Sequence, residues 1–350
     1  SSLPFPPHNS SSRLPLLPMA AAASTPAFID ARSLGSILAH DFLIRHLRSS
    51  LPALSATLHS PLRHSHSLPS SSSLLLMPCW SSSPLLPYLG IKIVTHFPRN
   101  SLVNLPSVHA SYLLFAADTG SPLASIDGSE LTLRRTACTS ALASIYLSRQ
   151  DAAVLAMVGA GALAPHLVRA HLVARPGIRK VVIWNRTPEK AAGLAAGLQE
   201  EGVGEGAVEF ASTENVDEAA GLGDIVSCAT NSEAALVRGS VLKRGAHLDL
   251  VGSFMASMRE CDEEAIRRGR VFVDNWAAVE EAGELVGALE SGAIYREDIQ
   301  GSLVDLIEGR REGRRSKEEI TVFKSVGSAA VDLLSAQLAY EAHTKKHGKL

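Results

Sequence analysis

Gly159 and Gly161, in the run Val154–Ala164 (VLAMVGAGALA), are the residues whose type and spacing point most directly to chemistry. The apolar residues before them read as a buried strand. The glycines allow a tight turn in which bare backbone can approach phosphate oxygens. Gly159, Ala160, Gly161, Ala162 and Leu163 form the candidate pyrophosphate turn. Ala164 keeps the next helix small where it crosses the strand, and Pro165 suits that helix's first turn, where a missing N–H does no harm. The helix's unpaired N–H groups and positive dipole end then face a diphosphate. Glycines at this spacing also mark ordinary turns, so context decides. Here a second apolar strand, Lys180–Trp184, ends roughly twenty residues past the motif, where dinucleotide-binding folds place the residue that reads the ribose.

That strand ends in Asn185-Arg186-Thr187, with no acidic residue. A carboxylate there would bind the ribose hydroxyls of NAD and repel a 2′-phosphate, whereas the planar fork of Arg186 pairs with that phosphate. NADPH is therefore favoured, with NADH the weaker cofactor. The alternative is that Arg186 is a solvated residue in the turn before Pro188. Thr230 and Ser232, in Cys228-Ala-Thr-Asn-Ser232, follow a strand's carboxyl end, where cofactor contacts gather, although a plain turn explains them nearly as well. Val251, the last residue of the strand His247–Val251, and Gly252 just after it are further cofactor-contact candidates.

These residues need a scaffold of parallel strands. Val208–Ala211, Asp224–Ala229, His247–Val251 and Val271–Asp274 read as strands, and Ala191–Glu200 and Glu260–Arg268 as helices with charged faces. Such alternation predicts a Rossmann-type doubly wound parallel sheet over 151–317, within an α/β fold. Before residue 150 the rhythm differs. Leu74–Pro78, Ile91–Thr95 and Ser111–Ala116 read as strands, Ser67–Ser73 as a Ser-rich loop, Ser121–Ser129 as turns, and Arg135–Leu147 as a helix entering the nucleotide domain. Residues 26–135 are thus expected to form a second, mixed α+β domain, with 136–150 as the connecting helix. The charged run Glu308–Glu319 is expected to be an exposed connection. After it, Glu318–Lys324 and Val331–His343 supply a strand and helix that return, with 318–350, to the first domain.

At 350 residues, 46% hydrophobic and with a net charge of −2, the chain suits two domains with ample core and has no general attraction for nucleic acid. The apolar uncharged stretch Ala152–Val168 is broken by glycines, Pro165 and His166 and is too short for a secure membrane span. Cys79, Cys138, Cys228 and Cys261 lack metal or disulfide spacing, and Cys138 and Cys228 read as small buried residues. His64 and His66 lack a third metal ligand and read as part of a polar loop, so no metal is expected; His247 reads as a satisfied core residue. The G-x-S-x-G, H-E-x-x-H and phosphate-loop lysine motifs are absent. Residues 1–25, rich in Ser, Pro and Ala with Arg13 as the one charge, resemble an organellar transit peptide outside the fold. Met19 is the alternative initiator, which would leave the protein in the cytoplasm.

Lys92-Ile-Val-Thr95, Asp118–Ala124, Asp127-Gly128, Arg135-Thr-Ala137, the Gly159/Gly161 turn, Trp184-Asn-Arg186 and Phe323–Gly327 together resemble, in order, the ornithine cyclodeaminase/mu-crystallin family, from about Ala27 to Tyr340. Within it, Ser72–Trp80, Asn104–Ala110 and Ile320–Gly327 are most similar to the plant ketimine reductases that make pipecolate in plastids. The resemblance implies that Arg63, Lys92 and Arg135 bind the carboxylate and the reacting imine of a small substrate in a pocket between the two domains. It also implies a homodimer built on the first domain's sheet. Two arginine forks suit a carboxylate, and Lys92 can donate a hydrogen bond or proton near the imine nitrogen. The family's cyclodeaminases carry an Asp two residues after the glycine where this chain has Phe254 in Val251-Gly-Ser-Phe254. Phe254 can neither accept a proton nor hold an ammonium, so ornithine deamination loses its most plausible base.

The implied reaction is NADPH-dependent reduction of a cyclic ketimine such as Δ1-piperideine-2-carboxylate, in which the cofactor carries the hydride chemistry. Two alternatives remain: a mu-crystallin-like protein that binds NADPH and a small ligand without turnover, or a cyclodeaminase or amino-acid dehydrogenase using the same pocket.

Overall fold

The structure, a computed structural model, describes residues 25–346 and 348 apart from 104 and 205. The transit-like segment 1–25 lies outside the described residues except for Thr25. In chain order the elements are β1 (Ala27–Ile29), α1 (Ala31–Ile37), α2 (His40–Leu54), β2 (Leu58–His59), β3 (His64–Leu68), β4 (Ser72–Ser81), β5 (Tyr88–His96), β6 (Val108–Ala116), β7 (Pro122–Asp127) and α3 (Gly128–Leu147). They continue as β8 (Val154–Val158), α4 (Ala164–Ala174), β9 (Lys180–Trp184), α5 (Pro188–Glu200), β10 (Glu209–Thr213), α6 (Val216–Leu222), β11 (Ile225–Cys228), β12 (His247–Leu250), α7 (Glu263–Arg268), β13 (Gly269–Val273), α8 (Ala278–Glu281), α9 (Gly283–Glu290), α10 (Leu303–Ile307), β14 (Ile320–Lys324) and α11 (Ala329–Lys346).

Two sheets carry the molecule. The first is mixed, in the order β1-β7-β6-β5-β4-β2 with β3 also on β4, and only β1 and β7 run parallel. The second is parallel throughout, in the order β10-β9-β8-β11-β12-β14-β13. Its inner strands are short runs buried on both faces, as a sheet covered by helices on each side requires. The α/β class with a doubly wound parallel sheet and a second mixed domain is the observed architecture. Both domains draw on one contiguous core, which runs from Ile29 and Leu34 through the α3 residues Ala137–Ala143 to Leu155 and Phe323.

Several elements differ from the sequence reading. Ile320–Lys324, expected to return to the first domain, is instead an inner strand of the parallel sheet, flanked by β12 and β13, and only the α11 that follows packs back on the first domain. Its five fully buried residues fit no other position so well. Pro122–Asp127, read as turns, is a strand. Pro122 occupies its first position, where a missing N–H is tolerated, and Asp127 ends it by capping α3 through the Glu130 N–H at 2.9 Å. The helix read from Arg135 therefore begins at Gly128, and the expected domain limit at 135–136 falls inside one continuous helix.

His64 and His66 stand not in a loop but in the edge strand β3, whose solvent exposure explains its polar sequence. The Ser67–Ser73 loop contracts to a tight turn, with Ser70 and Ser71 at φ 61° and 59°. The helix read as Glu260–Arg268 begins only at Glu263, because Asp262 caps it through the Ala265 N–H. His247 is buried with one ring nitrogen satisfied, Nδ1 lying 3.0 Å from Thr321 Oγ1, while Nε2 has no partner.

The Glu308–Glu319 connection is largely exposed, but Arg314 turns inward. There it donates to the carbonyls of Leu147, Glu319 and Ala246. Arg175 does the same for Ser144, Ile145 and Ser148, so these two guanidiniums help to satisfy the carbonyls at the end of α3.

Candidate functional site

Parallel strands deliver the loops after their carboxyl ends to one edge of the sheet. On that edge lie Gly159 after β8, Asn185 after β9, Thr230 after β11, Gly252 after β12, Asp274 after β13 and Gly327 after β14. Hydrogen bonds stitch these loops together: Ala229 N–H to Val158 O, Val251 N–H to Cys228 O, Ser325 N–H to Leu250 O and Asp274 N–H to Lys324 O, at 2.9–3.0 Å.

The glycine turn has the build a dinucleotide needs. Gly159, at φ +112°, sits so close to the next loop that a Cβ would meet Ala229 O at 2.6 Å. A Cβ on Gly161 would meet no protein atom within 4 Å, so that face of the turn is open at the N-terminus of the eleven-residue α4. Gly161 and Ala162 are exposed, and Leu163, the N-cap, makes no side-chain cap. Ala160 N–H donates to Asn185 Oδ1 at 3.1 Å, and Asn185 Nδ2 donates to Thr187 O at 3.0 Å, so Asn185 joins the glycine turn to the loop after β9. Arg186 beside it is exposed.

A residue the sequence reading placed only at the start of a helix, Glu260, organises the other two loops. Its buried carboxylate accepts from Thr230 N–H (2.7 Å) and Thr230 Oγ1 (2.9 Å) on one oxygen and from Gly252 N–H (2.7 Å) on the other. Burial raises its pKa against the pull of Lys324, which in turn pairs with buried Glu284 at 3.0 Å. Ser232 hydrogen-bonds Ala234 O at its own turn. Val251 is buried, and Phe254 packs on the apolar cluster beneath the parallel sheet.

Opposite this edge stands the first sheet. Lys92 on β5 and Arg135 on α3 are both buried and share one counter-ion, Asp332 on α11: Lys92 Nζ lies 2.7 Å from Oδ2 and Arg135 Nε 2.8 Å from Oδ1. Burial, reinforced by the Arg135 charge and opposed by Asp332, lowers the Lys92 pKa to about 8. Burial alone would raise the Asp332 carboxyl, but Arg135 and Lys92 outweigh it and hold it below the usual range. Within this trio one positive charge is unbalanced, an arrangement that invites an anion.

Tyr112, directly across from Lys92 on β6, is fully buried with no partner for its hydroxyl. Gly327, at φ +90°, lays its backbone against Arg135; a Cβ there would stand 3.1 Å from both terminal nitrogens. Asp274 fixes that approach by accepting from Ser325 Oγ and from the N–H groups of Val326 and Gly327 at 2.8–3.2 Å. Arg63, between β2 and β3, reaches across to the parallel-sheet domain, pairing with Glu281 of α8 at 2.7 Å and donating to Val326 O at 3.2 Å.

The structure thus brings Lys92 and Arg135 into one cluster, with Arg63 joined to it through the Val326-Gly327 loop. Asp332, Glu281, Asp274 and Glu260 were not singled out as functional residues by sequence reasoning. The signal available for Asp332 was a charged residue in the otherwise uncharged first half of the final helix.

Comparison with known proteins gives a consistent picture. A sequence profile described as the ornithine cyclodeaminase/mu-crystallin family matches residues 35–347. The chain is 55% identical over 324 residues to Protein SAR DEFICIENT 4 of Arabidopsis thaliana, covering 93% of this chain and 99% of that protein. It is 38% identical over 268 residues to a Delta(1)-pyrroline-2-carboxylate reductase of Colwellia psychrerythraea, covering 76% and 82% of the two chains. The structure of Thermococcus litoralis Delta(1)-pyrroline-2-carboxylate reductase in complex with NADH and L-proline superposes with a TM-score of 0.86 at 29% identity, covering 92% of this chain and 98% of that one.

Proposed function

Because the chain belongs to the ornithine cyclodeaminase/mu-crystallin family, we propose that it is a nicotinamide-dependent reductase of cyclic imine carboxylates, with Δ1-piperideine-2-carboxylate as substrate and pipecolate as product. The observation that carries this reading is the buried Lys92–Asp332–Arg135 trio, positively charged overall and facing the carboxyl edge of a dinucleotide-type sheet. Relatives named for reduction of the five-membered imine, and one solved with NADH and L-proline, support it.

The nicotinamide supplies the hydride that the imine carbon accepts. The chain's own residues bind and orient. Gly161 and the open N-terminus of α4 take the diphosphate, Thr230 and Gly252 flank the cofactor on loops locked by Glu260, and Arg135 and Arg63 take the substrate carboxylate. Lys92, its pKa lowered to about 8, holds the proton at or beside the imine nitrogen, so that C=N becomes CH–NH. Phe254 at the position of the cyclodeaminase Asp leaves no acid–base group there for deamination.

The test follows oxidation of NADPH and of NADH with the six- and five-membered imines, identifies the product by chiral chromatography, and repeats both with Arg63→Ala. Turnover to pipecolate that falls at least about a hundredfold in the variant is expected, since a two-point arginine–carboxylate contact is lost. Cofactor binding without oxidation of either imine would overturn the reading in favour of a binding protein.

We also propose NADPH as the preferred cofactor, read by exposed Arg186. Arg186→Ala is expected to raise the KM for NADPH about tenfold and leave that for NADH unchanged; equal effects on both would remove Arg186 from that role. A homodimer through the first domain is proposed on the exposed apolar side chains it presents, Phe28, Leu62, Leu85 and Leu102, each at least 70% accessible. Sedimentation of a 37.0 kDa chain at twice that mass is the expected result.

A further inference from the structure

The contact between Arg63 and Glu281 is difficult to reconcile with a carboxylate site that stands ready. A guanidinium has two bidentate edges, one formed by Nε and Nη2 and the other by Nη1 and Nη2, and both use a hydrogen of Nη2. In this structure Nη2 donates to Glu281 Oε2 at 2.7 Å and to Val326 O at 3.2 Å. Both forks are therefore half taken. An incoming carboxylate obtains a two-point grip only if one of these acceptors lets go. Val326 O belongs to the segment that Asp274 anchors through three hydrogen bonds, so it is the fixed partner. Glu281 is the last residue of the four-residue helix α8, and its side chain is 23% accessible, so it is the partner able to swing away. Burial, the neighbouring charges of Asp274 and Glu280 and the pull of Arg63 all act on this carboxyl, with the net effect of raising its pKa. A group held against that tendency is the more readily exchanged.

We propose that Glu281 is an internal carboxylate latch: in the ligand-free protein it occupies Arg63 and ties the parallel-sheet domain to the first domain, and the substrate's carboxylate displaces it. The proposal rests on Arg63 being the carboxylate site argued above. Binding of an anionic ligand then exchanges one carboxylate for another on the same guanidinium and releases the tie between the domains at that point. A small monocarboxylate is favoured as ligand, because the released Glu281 stays at the rim of the site and repels a second negative charge on the substrate.

The experiment measures binding of pyrrole-2-carboxylate, a planar non-reacting carboxylate, to the NADPH-loaded protein by calorimetry and stopped flow, for wild type, Glu281→Gln, Arg63→Ala and the double variant. Thermal melts confirm that each is folded. Glu281→Gln is expected to bind about fivefold tighter, through a faster association rate and an unchanged dissociation rate, since a part-exposed ion pair no longer has to be broken. In the Arg63→Ala background the same change is expected to have no effect. Weaker or unaltered binding by Glu281→Gln, or equal effects in both backgrounds, overturns the latch and leaves Glu281 a residue that merely orients Arg63.

Imine reduction by the wild type is scored separately. Turnover with no tightening in Glu281→Gln removes the latch alone. Tightening without turnover retains the latch and removes the reductase reading. Failure of wild type and variant alike to bind the carboxylate removes both.

Discussion

Asp332→Asn is expected to lower imine reduction at least about a hundredfold and to destabilise the fold. The carboxylate is the shared partner of Lys92 and Arg135, all three are buried, and Asn keeps the shape while removing the charge. Lys92 and Arg135 are then left in the interior without their shared counter-ion. Breaking a buried ion pair from one side costs about 3–5 kcal/mol, and this change breaks two.

The chemical consequence follows from the sign of each effect on Lys92. Burial and Arg135 push its pKa down and Asp332 pushes it up, giving about 8; deleting the upward term leaves the amine largely neutral at pH 7. A lysine that holds the proton for the imine nitrogen would then lack it. In the wild type kcat/KM is expected to fall as pH rises through about 8, where Lys92 deprotonates. In the variant the residual activity, lower by at least about a hundredfold, is expected to fall at a lower pH. Denaturant unfolding and a pH–rate profile check both parts. A variant with wild-type midpoint and wild-type profile would show that the trio neither supports the fold nor sets the protonation of Lys92.

The parallel-sheet half of the molecule was legible because its signals are local. Short apolar runs such as Val154–Val158 and Val181–Trp184, separated by amphipathic helices and punctuated by Gly159 and Gly161, admit little else. What escaped was set by distant partners. Ile320–Lys324 looks locally like any buried strand, and only the vacancy between β12 and β13 assigns it to the second sheet. Pro122–Asp127 carries turn residues because it starts on a Pro and ends on a helix cap, yet its middle is held by pairing with β6 and β1 on either side. Helix α3 hid its first seven residues behind the same cap.

The candidate site divides in the same way. Its cations, Arg63, Lys92 and Arg135, were reached through motifs in sequence order. Their anions were not, because Asp332 and Glu281 lie more than two hundred residues from Lys92 and Arg63 respectively and are joined to them only by folding. A lone acidic residue in a helix is ordinarily a solvated one. Only burial, which the sequence does not print, distinguishes Asp332 from that default.

Two alanine substitutions at glycines of the cofactor edge are expected to fail for opposite reasons, and together they test how that edge is built. At Gly252 a Cβ would stand 2.0 Å from Thr230 O, 2.4 Å from Thr230 N and 2.5 Å from Glu260 Oε1. Backbone atoms of a neighbouring loop cannot yield as a flexible side chain does. The loops after β11 and β12 must therefore separate, and the Glu260 carboxylate that binds both would lose contact with at least one of them. A hydrogen bond to a charged acceptor is worth about 1.5–3 kcal/mol and overpacking about 1–3 kcal/mol, so Gly252→Ala is expected to destabilise by roughly 2–4 kcal/mol and to weaken cofactor binding.

At Gly161 the added methyl meets no atom of the described residues within 4 Å. Gly161→Ala is expected to unfold at the wild-type denaturant midpoint while binding NADPH at least about tenfold more weakly, because the methyl enters the space through which the diphosphate approaches the turn. Fluorescence titration of the reduced cofactor beside urea unfolding separates the two. Should Gly161→Ala bind the dinucleotide like wild type, the open face of the turn is not where the phosphates lie. Should Gly252→Ala keep its stability, Glu260 does not hold the two loops in register.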